Sequence, residues 1–159
     1  MMELWKQLMQ NGSVKLFWRN EILDKYISAI SREGFEVYTF DCSNWDSNNY
    51  HIELAYTLDF PDYYGENIDA LNDCLSEMLP EDNGIVLVFK NYDVFFNKEP
   101  KDAREILDLV QSNSWQFLLE NIKLLAFVQS NDATIHFSGL GGMPAEWNDE
   151  EWSNKNRGL

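Results

Sequence analysis

Two nearly unbroken apolar runs, IVLVFK at Ile85–Lys90 and IKLLAFVQ at Ile122–Gln129, constrain this chain more than any other feature. A strand with one wet face alternates apolar and polar residues. A continuous apolar run is the pattern of a strand covered on both faces, as in parallel sheets. FEVYTFD at Phe35–Asp41 adds a third strand by its β-branched and aromatic content. Helical patterns fill the gaps. Asn48–Leu58 offers Ile52, Leu54, Ala55 and Leu58 to a core, and a shorter helix follows Asn67. Asn91–Asn97 reads as an aromatic-rich loop. Pro100 suits a first helical turn, and Asp102–Val110 lines up Ile106, Leu107 and Val110. SNS at 112–114 reads as a break before helix resumes at Trp115–Leu119. Right-handed crossovers then stack the strands as a small three-stranded parallel sheet with helices packed on it, an α/β fold.

The flanks carry weaker patterns. Leu4, Trp5, Leu8 and Met9 make a short amphipathic helix, and VKLFWR at Val14–Arg19 is either a short strand or a packing segment. Glu21–Glu33 is a helix with Gly34 as its C-cap. Thr134–Phe137 reads as a short edge strand, SGLGG at 138–142 as a flexible joint, and the acidic tail carries Trp147 and Trp152. The expected division is a helical N-terminal extension over 1–34, a domain over 35–130 and a C-terminal extension over 131–159.

Chemistry concentrates in PDYYGENIDALNDCLSEML at Pro61–Leu79. Pro61 fixes φ, Gly65 is expected to supply a sharp turn, and Asn67 is a good N-cap. Ile68, Leu71, Leu75, Met78 and Leu79 fall on one side of the helix, and Asp69, Asn72, Asp73 and Ser76 on the other. A solvated face accounts for such a stripe in an average protein. Asp69 also suits the dipole of a first turn. Asp73 has no such excuse, being mid-helix, where Asp is a poor former, and four residues from a like charge. No Lys or Arg occurs between Pro61 and Phe89. An unpaired strip that costs stability is suited to a cationic partner.

Twelve bases against 27 acids give a net charge of −15. That balance disfavours nucleic acid and favours association with a basic protein. Apolar content of 45% supplies a packed core. There is no stretch of signal or transmembrane length, so a cytoplasmic protein is expected. Cys42 and Cys74 lack CxxC spacing and are expected to be free and buried.

YYGENIDALNDCL resembles the central loop and helix of the barstar family, inhibitors of barnase-type ribonucleases. The resemblance covers about a dozen contiguous residues, including the YYGEN turn and the D-A-L-x-D-C-L spacing. It implies a barstar-like architecture for residues 35–130. It places Asp69 and Asp73 as phosphate mimics in the nuclease's cationic pocket, with Asp73 deepest. Tyr63, Gly65, Asn67, Asn72 and Ser76 complete the partner-binding surface it implies, while Tyr64 serves either the partner or the anchoring of the loop. Members of the family can carry tryptophan where this chain has Asn72, so a large aromatic anchor is absent here. The family's further acid, on a later helix, aligns with Ser112, with Glu105 and Asp108 as substitutes nearby.

The resemblance implies an inhibitor of a basic, secreted or toxin-type ribonuclease, an antitoxin or immunity protein. It is expected to be monomeric when free, without cofactor or metal, and without direct contact to nucleic acid or membrane. A barstar-fold module for a different basic protein or non-ribonuclease toxin is the alternative. Enzyme readings are poorly supported: His51 and His136 lie apart, and no P-loop, HExxH or GxSxG occurs. A carboxylate-dependent glycosidase built from Asp69 and Asp73 lacks a cleft between the two acids.

Overall fold

The computed structural model describes residues 2–159. Its centre is a parallel sheet of five strands: β1 (Val14–Phe17), β2 (Phe35–Asp41), β3 (Gly84–Lys90), β4 (Lys123–Gln129) and β5 (Glu146–Trp147), in the order β2-β3-β4-β1-β5. The three strands expected from sequence are adjacent, with Val37 opposite Val86 and Val86 opposite Leu125. The expected count of three is corrected to five. VKLF at 14–17 pairs with β4, Val14 opposite Ala126, and β5 extends the sheet through Lys15 opposite Glu146. Of the two readings of Val14–Arg19, strand or packing segment, the structure shows the strand; four residues carry too little pattern to decide between them when the partner lies more than a hundred positions away. All four residues of β1 are buried, and Lys15 meets Glu146 across the β1–β5 pair at 3.5 Å.

Among the described residues six α-helices cover the sheet: α1 (Leu4–Leu8), α2 (Asn20–Ser31), α3 (Asn49–Thr57), α4 (Ile68–Ser76), α5 (Tyr92–Lys98) and α6 (Pro100–Leu118). The apolar runs serve two cores at once. Ile85, Leu87, Phe89, Leu124, Ala126 and Val128 join one cluster with residues of α3 to α6. Val86, Val88, Leu125 and Phe127 join the other with residues of α1 and α2. Among the described residues no helix is long and apolar enough to cross a membrane.

Four local expectations change. The segment read as an aromatic loop is α5, because Tyr92 and Phe95 turn into the core at helical spacing. The expected break at 112–114 lies within a continuous α6, where each polar side chain that is buried has a partner: Asn113 donates to the Leu109 carbonyl at 2.9 Å and Ser114 bonds Ser13. Thr134–Phe137 forms no strand, yet Ile135 and Phe137 fill the larger core. The glycine-rich joint is a tight turn bridged between Leu140 and Met143. The acidic tail docks through Glu151, whose carboxylate accepts from the Trp18 and Arg19 amides at 2.8 and 2.9 Å, at the start of α2.

Candidate functional site

Local chemistry starts α4 where the sequence places it. Asn67 is extended, with φ −141, and its Oδ1 accepts the Ala70 N–H at 2.8 Å. Its Nδ2 donates to the Gly65 carbonyl at 3.2 Å, so one side chain fixes both the loop exit and the first turn. Leu71, Cys74 and Leu75 are buried and seat the helix on the core. The helix ends at Ser76, so Leu79, expected on the apolar face, lies beyond it and is exposed.

Asp69, Asn72, Asp73 and Ser76 share the outer face, all exposed. Four ion pairs occur among the described residues, and neither aspartate belongs to one. The nearest bases in sequence are far away: Glu33 to Phe89 holds thirteen acids and no Lys or Arg. The Ser76 hydroxyl donates to the Asp73 carbonyl at 2.7 Å. Two carboxylates thus stand on a fixed helix with their lone pairs open to solvent. Such groups accept charge-assisted, often bidentate, bonds from arginine or lysine.

The preceding loop separates its two tyrosines. Tyr63 is 79% exposed. Tyr64 is half-buried, its ring against Phe60 and His51 at centroid distances of 5.1 and 5.7 Å, and its hydroxyl is hydrogen-bonded to His51 Nδ1. Burial pushes the Tyr64 hydroxyl above the usual phenol range and holds His51 below the usual imidazole value. Tyr64 anchors the loop. The sharp turn expected at Gly65 belongs to Glu66, which adopts φ 51, whereas Gly65 does not take a positive φ. A Cβ at Gly65 would stand 3.2 Å from Asn67 Nδ2, so a side chain there crowds the cap of α4.

On α6, Asp108 accepts the Gly141 N–H at 2.7 Å and Glu105 lies 3.9 Å from Lys101, while Ser112 is half-buried. The residue of α6 that reaches the acidic face is Asn113, which the sequence reading missed. Its Nδ2 donates to Asn72 Oδ1 at 2.9 Å. The polar interruption SNS within an apolar helix was the available signal. Among the described residues no cluster of His, Cys, Asp and Glu is placed to hold a metal, and Cys42 and Cys74 are free buried thiols.

A family model described as Barstar (barnase inhibitor) matches residues 35–129, more than half of the chain. A Bacillus subtilis (strain 168) protein named "Putative ribonuclease inhibitor YrdF" is 41% identical over 61 residues. That alignment takes in 38% of this chain and 65% of the relative, just under two thirds of its length.

Proposed function

The chain belongs to the barstar family, and from that premise we propose that it inhibits a barnase-type ribonuclease by lodging the outer face of α4 in the enzyme's cationic active site. Family and relative alike point to an inhibitor rather than an enzyme. In the proposed complex the Asp69 and Asp73 carboxylates take the arginine and lysine donors that hold the RNA phosphate. No scissile bond is offered, so the site is filled without turnover. Tyr63, Gly65 and Asn67 meet the nuclease through the loop, and Asn72 and Ser76 complete the helical contact. The nuclease is a basic protein, and the chain meets it in the cytoplasm as an antitoxin or immunity protein.

One observation carries this reading: two exposed carboxylates, one helical turn apart, pair with no cation among the described residues. Their helix is held by an Asn67 cap and three buried residues, so little ordering is left to be done on binding. The test is inhibition of barnase-catalysed RNA cleavage. The parent chain is expected to inhibit, and the Asp69→Ala/Asp73→Ala double variant to lose inhibition while keeping its melting temperature. Equal inhibition by both ends the proposal.

Asn72 favours a second reading, in which the same face serves a different basic partner. An amide at the centre of the ridge suits a polar contact where an aromatic anchor would need an apolar pocket. Tight binding to a basic toxin without nuclease activity, with none to barnase-type enzymes, would select it.

A further inference from the structure

α3 carries an unusual outer face. Its inner side is buried through Tyr50, His51 and Leu54. Ile52 and Tyr56, one turn apart, point the other way and are 62% and 88% exposed. Ile52 was expected in the core; the structure puts it on the surface. A β-branched aliphatic and an aromatic side by side in water form an apolar patch that the fold itself does not use.

The patch stands between two hollows. One, of about 440 Å³, runs from Ile52 and Tyr56 to Asp59, Tyr64 and Glu66 in the loop that leads into α4. The other, of about 390 Å³, is lined by Thr39, Phe40, Ile52, Glu53, Tyr56 and Thr57. The first hollow makes the patch continuous with the loop that carries Tyr63, Gly65 and Asn67. Its rim is acidic, with Glu53, Asp59, Asp62 and Glu66 in the adjoining segments and no Lys or Arg from Glu33 to Phe89.

We infer that the Ile52–Tyr56 face of α3 is a second contact surface for the basic protein that the acidic ridge engages, and that it receives an apolar or aromatic side chain of that protein. The inference rests on the inhibitor reading above. Stable interfaces take about 20–30 residues from each side, whereas the ridge and its loop supply only a handful. The surface has to extend beyond them. Towards α6, the acids are half-buried and engaged by Lys101 and the Gly141 amide. Towards α3 the surface is open and apolar at its centre, with a charged rim, which is the anatomy of a binding patch. The rim selects a cationic partner. A second copy of this chain would bring a further −15 to the same place. The patch also supplies the aromatic anchor that Asn72 does not.

Barnase is the probe, with binding followed by surface plasmon resonance and the oligomeric state of the free chain by sedimentation. Ile52→Ala/Tyr56→Ala is expected to raise Kd at least tenfold, mainly through faster dissociation, with the melting temperature unchanged because both side chains are exposed. Asp73→Ala is the reference for the ridge. Loss of binding in Asp73→Ala with Kd within twofold of the parent in Ile52→Ala/Tyr56→Ala overturns this inference and leaves the inhibitor reading standing. Absence of barnase binding by the parent chain sinks both. A dimer of the parent that the double variant converts to monomer assigns the face to a second copy, and also overturns the inference.

Discussion

The buried Asn113 amide holds the exposed Asn72 by its carbonyl: Asn113 Nδ2 donates to Asn72 Oδ1 and to the Leu109 carbonyl, each at 2.9 Å. A backbone carbonyl can only accept, so the Leu109 bond sets which way the Asn113 amide faces, and Asn113 in turn sets Asn72. The NH₂ group of Asn72 makes no hydrogen bond among the described residues and remains a donor between two carboxylates. Substituting Asn72 with leucine leaves one buried Asn113 N–H without an acceptor, at a cost of about 1–3 kcal/mol. Exposed positions without such a tie change stability by about 0.5 kcal/mol or less. Asn72→Asp keeps the acceptor and should stay within about 0.5 kcal/mol of the parent, the small loss coming from its like-charged neighbours. Urea denaturation of both variants checks this. Equal losses would mean that the Asn113 bond carries no weight.

The ridge should separate binding from stability. Asp73→Ala removes half of an i, i+4 like-charge pair and replaces a poor mid-helix former with the best one, so it is expected to leave the fold about 0.3–1 kcal/mol more stable. Asp69→Ala also loses a favourable first-turn charge, so its net effect should be close to zero or slightly destabilising. Against barnase, each truncation strands a desolvated cation and should cost about 2–5 kcal/mol of affinity. Calorimetric titration beside a thermal melt gives both quantities for each variant. A variant that lost stability and affinity in proportion would mark the aspartates as fold-holding residues.

The parts of the molecule that were legible in sequence are those whose cause is local. The cap at Asn67 and the two faces of α4 follow from residues within one another's reach, and β3 and β4 declare their burial by composition alone. What was illegible depends on distant partners. β1 is a strand because β4 and β5 flank it, and α6 continues through Ser112–Ser114 because Leu109 and Ser13 receive the polar groups. Asn113 joined the site only through a helix contact across about forty residues. The turn misassigned to Gly65 has the opposite cause: Glu66 accepts a left-handed conformation that residue type alone disfavours.

Glu151 is wholly buried, and its carboxylate accepts the Trp18 and Arg19 amides and the Asn148 side-chain amide, the last at 2.8 Å. The tail is thereby fastened to the entry of α2. Glu151→Ala strands these donors and should destabilise the chain by about 3 kcal/mol. Glu151→Gln keeps one acceptor oxygen and should recover part of that. Chemical denaturation of the two variants supplies the comparison. A loss below about 1 kcal/mol in the alanine variant would make the tail a passive appendage.

His51 gives the loop a dependence on acidity with a definite sign. Burial is the main cause of its lowered folded value, opposed by Glu66 and Asp102. The unfolded chain therefore binds the proton more readily than the folded one, and stability rises with pH across the interval between the two values. The contribution is complete above the unfolded value of about 6.5 and is lost as pH falls through the lower folded value. Protonation puts a charge beside the Tyr50 ring and alters the bond to the Tyr64 hydroxyl, which burial keeps protonated. Asp41 and Asp132 also lose native stabilisation in acid, through carboxylates held below their usual value by hydrogen bonds, but their window opens only below about pH 4. Melting temperatures between pH 7.5 and 5 isolate the histidine. The parent should lose stability over that range, and His51→Gln, which cannot titrate, should lose less. If both fall in parallel, the pH response originates elsewhere. If only the parent falls, acidification loosens the loop bearing Tyr63 and Asn67, and barnase binding should weaken over the same interval.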